Sequence, residues 1–330
     1  MKVLVTGASG FIGGNLVREL VSRGVDVRVL IRKSSNIEFI SDLKIEKAYG
    51  DILDYNSLLE ALKGVTHLYH VAALYKAWLP DPEEFYRVNV RGTVNVMRAA
   101  LEKGVEKIVY TSSVAAVGFV RDGEGICDEN CLWNLGFTED HYTISKYQAE
   151  MEVFKMICRE NLPAVIVNPA APVGPGDWKP TPTGQLILQY LKKRIPAYAD
   201  TSLSFVDVRD VVRGHILAME KGKIGERYIL TAENLHMKDV FEMLHRITGI
   251  KPPRVKTPYG VNYAFASFLE FIASITGMET PLARSYVRVT KGRMAYDNRK
   301  SIKELGLNYG PVEKALEDAV KWYREHGYVK

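Results

Sequence analysis

Short apolar runs alternate with amphipathic segments through the first half of the chain. The run Val3–Val5 is rich in β-branched residues, as in a buried parallel strand, and the apolar residues of 16–21 recur at helical spacing. Further strands are predicted at 25–31, 44–48, 66–69, 107–110 and 164–167, and further helices at 55–62, 83–103 and 140–160. This alternation predicts an α/β fold with a doubly wound parallel sheet and right-handed crossovers.

The pattern changes after Asn168. Proline and glycine crowd residues 169–184, which predicts a loop with defined turns rather than a helix. Residues 205–219 and 228–230 are predicted to return to the large sheet, followed by helices near 237–248, 282–291 and 312–325. We therefore expect one domain of residues 1–168 and about 204–231, and a smaller, sequence-interleaved α/β domain of residues 169–203 and about 232–330.

The composition is that of a globular protein. The 330 residues are 47% hydrophobic and 25% charged, enough for a large core and about two domains. The net charge of +5 comes from scattered lysines and arginines, so no nucleic-acid partner is expected. The first strand is preceded by no charged and apolar leader, which predicts a cytoplasmic protein.

The three cysteines are Cys127, Cys131 and Cys158. They have neither the spacing of zinc ligands nor the density of a disulfide framework. We expect free thiols in a reducing compartment and no metal site.

One segment, YGVNYAFASFLEFIASITG at 259–277, has Glu270 as its only charge. It is barely long enough, and too often interrupted by polar residues, to predict a membrane span. A helix that covers a pocket or an interface is predicted there. The alternative is an interfacial helix or an apolar lid over the substrate.

A glycine-rich stretch, TGASGFIGG at 6–14, separates the first strand from the first helix. Backbone N–H groups and the helix dipole favour a phosphate at such a junction, and glycine lets the backbone approach it closely. The stretch therefore predicts the pyrophosphate site of a dinucleotide rather than a simple turn. Its candidate cofactor-binding residues are Gly7, Gly10, Phe11, Ile12 and Gly13.

Tyr142 and Lys146 lie four residues apart on a predicted helix and so share one face. A nearby ammonium lowers the pKa of a tyrosine from its usual value of about 10, and the phenol can then exchange a proton with a carbonyl or alcohol oxygen. Thr111, Ser112 and Ser113 come at the carboxyl end of the fifth strand, where ligands bind in such sheets, and a serine there can donate a hydrogen bond to the reacting oxygen. Alone, each motif also fits an exposed helix pair or a serine that caps a turn. Together they predict a catalytic set.

The residue after the second strand is Arg32, where an enzyme that binds NAD usually has an acidic residue. An arginine can pair with the 2′-phosphate of NADP or stack on the adenine. We therefore predict NADP as the cofactor. NAD, bound through backbone groups, is the alternative.

These motifs resemble those of the extended short-chain dehydrogenase/reductase family, also called the NAD-dependent epimerase/dehydratase family. Further resemblance lies in Asp51 after Gly50, in His70–Ala73, in Asn89 within NVRGT, and in 296–307 followed by Trp322 and Tyr323. Within the family the chain is similar to the dihydroflavonol-4-reductase-like branch, and most of all to bacterial proteins named hopanoid-associated sugar epimerases, through 70–97, 167–184 and 225–230. The resemblance covers the whole chain and implies a Rossmann fold.

The resemblance also implies roles for single residues. The run S-S-x-A-x-x-G at 112–118 is similar to that of the family, whose second serine is catalytic, so Ser113 is chosen over Ser112. Asn89 is expected to belong to the catalytic residues, where it steadies the strand–helix geometry or a water near Lys146, a buried and satisfied asparagine being the alternative. Expected cofactor contacts are Asp51 and Ile52 at the adenine, Ala72 and Ala73 at the phosphates and ribose, Tyr142 and Lys146, and Pro169 to Val173 at the nicotinamide. Candidates on the substrate side are Tyr75, Trp78, His141 and Lys179.

Two activities compete on these residues. The first is an NADP(H)-dependent oxidoreductase that transfers hydride to or from a ketone or aldehyde through Ser113, Tyr142 and Lys146. The second is a nucleotide-sugar epimerase or dehydratase with tightly bound NAD, whose diphosphate would need a basic site. Arg284, Arg288, Lys291 and Arg293 are candidates for that site, or form a solvated basic face.

The intact catalytic set argues against a third possibility, a protein that only senses NADP. The proline-rich loop around Trp178 and the apolar segment 259–277 favour a less polar substrate. The partner is thus a small carbonyl, alcohol or sugar-nucleotide substrate, and the resemblance implies a monomer or a homodimer.

Overall fold

The computed structural model describes residues 1–76, 78–120, 125–276, 280, 283–289 and 294–329. Its strands are β1 (Lys2–Thr6), β2 (Asp26–Ile31), β3 (Glu46–Tyr49), β4 (His67–His70), β5 (Lys107–Thr111), β6 (Ala164–Pro169), β7 (Ala171–Val173), β8 (Ala197–Ala199), β9 (Ser202–Asp207), β10 (Arg227–Leu230), β11 (Glu233–His236) and β12 (Val255–Thr257). Its α-helices are α1 (Phe11–Ser22), α2 (Tyr55–Ala61), α3 (Glu83–Phe85), α4 (Gly92–Glu102), α5 (His141–Glu160), α6 (Pro182–Leu191), α7 (Val208–Lys221), α8 (Met237–Thr248), α9 (Tyr259–Thr276), α10 (Arg284–Val289) and α11 (Val312–Glu325).

Seven strands form one parallel sheet in the order β10-β6-β5-β4-β1-β2-β3. The order reverses between β1 and β4, which is where open α/β sheets bind their ligands. This sheet confirms the predicted doubly wound fold.

Helices cover both faces of the sheet because alternate residues of each buried strand point to opposite sides. In β1, Val3 and Val5 join one apolar core with Leu16 of α1, whereas Leu4 joins the other with Leu58 of α2. Burial on both faces explains why these strands are continuous apolar runs.

A smaller α/β region packs beside the carboxyl edge of the large sheet. It contains a three-stranded sheet, in the order β11-β9-β7, and the pair β8–β12. Helices α6, α8 and α11 share an apolar core that contains Phe205, Phe241 and Leu316.

Two predictions for this region were wrong in part. The strand that contains Phe205 was expected in the large sheet but is β9 of the small sheet, and only β10 returns to the large one. The predicted loop 169–184 contains β7 and the first turn of α6. Thr181 caps that turn and Pro182 follows at the first helical position, where a missing N–H costs nothing.

The expectation of free thiols was wrong for two of the three cysteines. Cys127 and Cys131 are joined as a disulfide, with their Cα atoms 5.6 Å apart, and Cys158 is free and exposed. A turn in which the Cys131 N–H bonds to the Asp128 carbonyl oxygen brings the pair together.

The segment predicted to cover a pocket or interface forms helix α9 over 259–276, and Gly277 lies outside the described residues. Within the described part of the chain, no helix is long and apolar enough to cross a membrane.

Two buried histidines make stability sensitive to acid. Burial lowers the pKa of His70 to about 3 and that of His215 to about 4. In the unfolded chain a histidine binds a proton below its pKa of about 6.5, whereas these two stay neutral in the folded protein down to their lowered pKa values. Their contribution to the free energy of unfolding is therefore fully present above pH 6.5 and is lost as the pH falls towards those lowered values. His215→Gln removes one of these groups. Below about pH 6 the free energy of unfolding of the variant should therefore fall less steeply with pH than that of the wild type, by up to about 1.4 kcal/mol per pH unit. Urea titrations of both proteins at several pH values measure the two slopes, and equal slopes would contradict the prediction.

Candidate active site

The turn between β1 and α1 brings three backbone segments into close contact. Gly7 has a φ of +73°, and a Cβ there would lie 2.6 Å from the Ala72 amide nitrogen. A Cβ on Gly13 would lie 2.2 Å from the Gly7 carbonyl oxygen. Helix α1 begins after Gly10 without a side-chain cap, so the N–H groups of its first turn point towards any ligand there. This glycine cradle fits the pyrophosphate of a dinucleotide.

A hydrogen-bond chain fixes the cradle against β4. The Thr6 hydroxyl lies 2.8 Å from His70 Nδ1 and accepts the N–H groups of Val71 and Ala72 at 3.2 Å. His70 Nε2 lies 3.0 Å from the Thr93 hydroxyl. Thr6 therefore positions Ala72 beside Gly7, a role that sequence reasoning missed although Thr6 directly precedes the first glycine.

The residues predicted to contact the adenine lie close together after the ends of β2 and β3, because these strands are neighbours in the sheet. Arg32 Nη1 lies 4.0 Å from Asp51 Oδ2, and both side chains are exposed. The Asp51 carboxylate also accepts the Leu53 N–H at 2.9 Å. The Ile52 carbonyl accepts the Asn95 side chain at 3.1 Å, which ties this loop to α4.

Ser113 and Tyr142 lie together at the carboxyl edge of β5. The two side chains interact, and the Ser113 hydroxyl also accepts the Ala115 N–H at 3.1 Å. The neighbouring Ser112 is buried beside Tyr110 instead. Of the two serines, Ser113 is thus the one that faces the tyrosine.

Lys146 lies one turn after Tyr142 and is buried. Its ammonium donates to the Thr111 carbonyl at 2.9 Å and to the Tyr110 hydroxyl at 3.4 Å. Burial lowers the pKa of Lys146 to about 8.

The pKa of Tyr142 differs from the sequence prediction. Burial and the neighbouring Tyr75 raise it well above its usual value, whereas Lys146 was expected to lower it. The physical reason is that the ammonium bonds to groups of β5 rather than to the phenol.

Beneath this pair lies Glu150, which is fully buried. Its carboxylate accepts from Arg227 Nη1 at 2.8 Å and from Asn168 Nδ2 at 2.7 Å. Asn168 Nδ2 also donates to the Ser113 carbonyl at 2.9 Å. Glu150 therefore connects the backbone of Ser113 with the helix that carries Lys146. Sequence reasoning missed it, although its place four residues after Lys146 puts both on one helix face.

The charge of Glu150 raises the pKa of Lys146, against the burial that lowers it. Glu150→Gln should lower that pKa further and move the alkaline limb of the kcat–pH profile down by about one pH unit. The matched control is Glu152→Gln on the same helix, where the carboxylate is exposed and bonds to Lys155. A limb that stays in place in Glu150→Gln would contradict this linkage.

Asn89 lies in a π-helical turn, Tyr86–Arg91, between α3 and α4. Its side chain accepts the Leu74 N–H at 2.7 Å and donates to the Leu74 carbonyl and to the Ser145 hydroxyl at 3.1 and 2.9 Å. Of the expected roles, this geometry supports steadying the strand–helix junction next to Lys146.

An open cleft lies at the amino end of α5, where His141 precedes Tyr142. The ring of Tyr75 lies 4.6 Å from that of Tyr142, and Tyr75 also interacts with Tyr286 of α10, which sequence reasoning missed. Trp78 and His141 line the cleft, but Lys179 lies beside the glycine cradle instead. The lining residues are Trp78, Leu79, Pro82, Phe85, Thr138, Glu139, Asp140, His141, Glu270, Ala283, Arg284, Ser285 and Arg288.

The predicted diphosphate arginines also line this cleft, each beside a carboxylate. Arg284 bonds to Glu270 at 2.5 Å, and Arg288 pairs with Glu139. The other two candidates, Lys291 and Arg293, lie outside the described residues.

The predicted nicotinamide residues Pro169 to Val173 connect the two sheets. Pro169 ends β6, and Val173 is buried in β7. The segment therefore lies at the carboxyl edge of the large sheet, beside the strand that precedes Ser113.

The chain is similar to proteins of one family. A family model described as "NAD dependent epimerase/dehydratase family" matches residues 3–230. A putative dihydroflavonol 4-reductase of Synechocystis sp. is 41% identical over 330 residues, covering 99% of this chain and 95% of that protein. Sterol demethylase protein B of Methylococcus capsulatus is 36% identical and matches over 100% of both chains. The crystal structure of gox2253 has a TM-score of 0.88 at 47% identity and covers 99% of both chains.

Proposed function

Because the chain belongs to the NAD-dependent epimerase/dehydratase family, we propose that it is an NADP(H)-dependent reductase of an uncharged ketone or aldehyde. Membership confirms the predicted family and makes the protein an NAD(P)-dependent enzyme of the extended short-chain type. The family includes both reductases and sugar epimerases or dehydratases, so the choice of reaction rests on the cleft.

One observation carries the choice of a reductase. Both described arginines of the cleft are neutralised by carboxylates, Arg284 by Glu270 and Arg288 by Glu139. A diphosphate would have to displace these pairs, whereas an uncharged aromatic or alicyclic carbonyl compound can lie against Trp78 and Leu79 of the cleft without disturbing them. The names of two relatives, a dihydroflavonol reductase and a sterol demethylase, agree with a less polar substrate.

In this proposal the glycine cradle and Ala72 bind the dinucleotide, which supplies or accepts the hydride when bound. Ser113 donates a hydrogen bond to the carbonyl oxygen. Tyr142 donates its phenolic proton to the same oxygen as negative charge develops there. A phenol whose pKa is raised by burial stays protonated at neutral pH, as a proton donor must.

Lys146 carries a positive charge under Tyr142 and stabilises the phenolate that forms during the step. The charge of Glu150 favours the protonated form of Lys146 and so offsets part of the cost of burying the ammonium. In the reverse direction, the Tyr142 phenolate would accept the proton of an alcohol, and the carbon of that alcohol would give its hydride to the oxidised nucleotide.

The test is the identity and exchangeability of the bound nucleotide. A reductase should release its nucleotide on dilution, bind NADPH more tightly than NADH, and oxidise NADPH with an uncharged aryl ketone but not with a nucleoside-diphosphate sugar. NAD that stays bound through purification and resists exchange would overturn the proposal in favour of the epimerase.

Arg32 is proposed to select NADP through the 2′-phosphate. Arg32→Ala should raise the Kd of NADPH about ten- to a hundredfold and change that of NADH little, since a charge-assisted pair with phosphate is lost. Fluorescence titration measures both constants. Lys33→Ala, at the next exposed cation of the same loop, is the matched control. Equal losses for both cofactors in Arg32→Ala would contradict selection by this residue.

A further inference from the structure

Helix α9 directs its largest apolar side chains away from the protein. Phe265, Phe268 and Phe271 are 56%, 59% and 61% exposed, and Ile275 is 67% exposed. The α9 face consists of Val261, Ala264, Phe265, Phe268, Phe271, Ile272 and Ile275, all exposed and all apolar.

The opposite side of α9 is small and polar. Ala266 and Ala273 are buried there, and Glu270 is turned inwards to Arg284. An ordinary surface helix buries its large apolar residues and exposes its polar ones, and α9 does the reverse. The large apolar side chains of α9 therefore contribute little to the core.

The face is wide and large. At 100° per residue its members span about 120° of the helix circumference. Three half-exposed phenylalanines and four smaller side chains amount to roughly 500 Å² of contiguous apolar surface, about the size of patches that mark an interaction site.

Two cations lie shortly before α9 in the chain. Lys251 and Arg254 are exposed, and neither has an ion pair with any residue that the structure describes. Val255, which stands between Arg254 and α9 in the chain, is apolar and 61% exposed. The only carboxylate of α9, on Glu270, bonds to Arg284 instead of facing solvent.

We propose that the α9 face docks on an anionic lipid bilayer, with the helix lying in the plane of the interface. Phenylalanines that enter the acyl region together with lysine and arginine at the headgroups are the two components of interfacial binding. The cations and the inward-turned carboxylate match a negatively charged surface.

A second copy of the chain matches this surface less well. In a twofold contact each partner presents the same patch, so Lys251 and Arg254 would meet an identical face that offers no carboxylate among its described residues. The width of about 120° also exceeds the narrow apolar seam of a helix pair.

Docking would also orient the candidate active site. Glu270 of α9 and Arg284 of α10 line the same cleft as His141, the residue before Tyr142. The bilayer would therefore meet the protein next to the cleft. The docking inference does not depend on the proposed reaction, because it rests on the surface alone.

Flotation with vesicles tests the proposal. Vesicles of equal parts phosphatidylcholine and phosphatidylglycerol are compared with vesicles of phosphatidylcholine alone, using the full chain. We expect binding to the anionic vesicles that weakens with added salt. Phe265→Ser/Phe268→Ser/Phe271→Ser should lower the partition coefficient at least about tenfold. The matched control is Tyr49→Ser/Leu132→Ser/Ile224→Ser, which removes three exposed apolar residues elsewhere and should bind like the wild type.

A second pair of variants tests the charge. Lys251→Ser/Arg254→Ser should weaken binding to anionic vesicles and leave weak binding to neutral ones unchanged. Lys44→Ser/Lys47→Ser, which also removes two exposed cations, is its control. Melting temperatures show that each variant is folded.

Four outcomes would overturn the proposal. They are failure of the wild type to float with anionic vesicles, equal flotation of the phenylalanine variant, equal loss in the Tyr49 control variant, and a wild-type dimer that the phenylalanine variant converts to a monomer without a change in flotation. Light scattering after size exclusion detects the last, which would assign the face to a second copy.

Discussion

Tyr142→Phe should lower kcat by roughly 10²- to 10⁴-fold, the range that a positioned general acid contributes. The change removes only the hydroxyl, which interacts with Ser113, so the ring contact with Tyr75 remains. Binding of NADPH should change little, because the glycine cradle is untouched. Single-turnover oxidation of NADPH with an aryl ketone measures the effect on the chemical step.

The control for this loss is Tyr147→Phe. Tyr147 lies on the same helix, and its ring stacks on Trp133 at 4.2 Å instead of facing the catalytic serine. We expect nearly wild-type kcat from it. Nearly full activity in Tyr142→Phe would exclude both the reductase and the epimerase as described here, since each moves a proton through this phenol.

Gly13→Ala should weaken binding of either nicotinamide nucleotide by roughly 10²-fold, because a displacement of the backbone by about 1 Å is enough for such a loss. The added Cβ would lie 2.2 Å from the Gly7 carbonyl oxygen and 2.7 Å from its carbon, and neither backbone atom can rotate away. Helix α1 must therefore shift away from the cradle. The same overpacking should lower the free energy of unfolding by about 3 kcal/mol.

Gly260→Ala is the matched control. A Cβ at this position meets no atom within 4 Å, and Gly260 lies in the first turn of α9. It should leave nucleotide binding unchanged and alter stability by less than about 1 kcal/mol, in the stabilising direction. Nucleotide titration and urea unfolding check both variants. Wild-type affinity in Gly13→Ala would show that the cradle is not the pyrophosphate site.

The sequence predicted those parts of the site that depend on local spacing. Gly7, Gly10 and Gly13 lie in one turn, and Tyr142 and Lys146 lie on one helix face, so a pattern of a few residues determines their geometry. The shared edge of the carboxyl ends of parallel strands indicated the serines after β5, and the family resemblance selected Ser113 from them. The roles proposed for these residues remain predictions.

Contacts between distant segments could not be predicted. The pairing of Arg288 with Glu139 joins residues from different parts of the chain, and the arginines alone suggested a free diphosphate site. The place of Lys146 against β5 depends on how α5 packs, which changed the expected effect on Tyr142. The apolar run of α9 predicted a cover for a pocket or interface, but not that its phenylalanines would point outwards.

The connection between the two sheets has a mechanical consequence. Only Ala170 separates β6 of the large sheet from β7 of the small one, and its N–H bonds to the Leu230 carbonyl at 3.0 Å. Such a short, hydrogen-bonded link resists hinge motion, because bending would break backbone bonds on both sides. The two sheets should therefore move together as one stiff body. Any adjustment to the size of a substrate then falls to the outer wall of the cleft, α9 and α10.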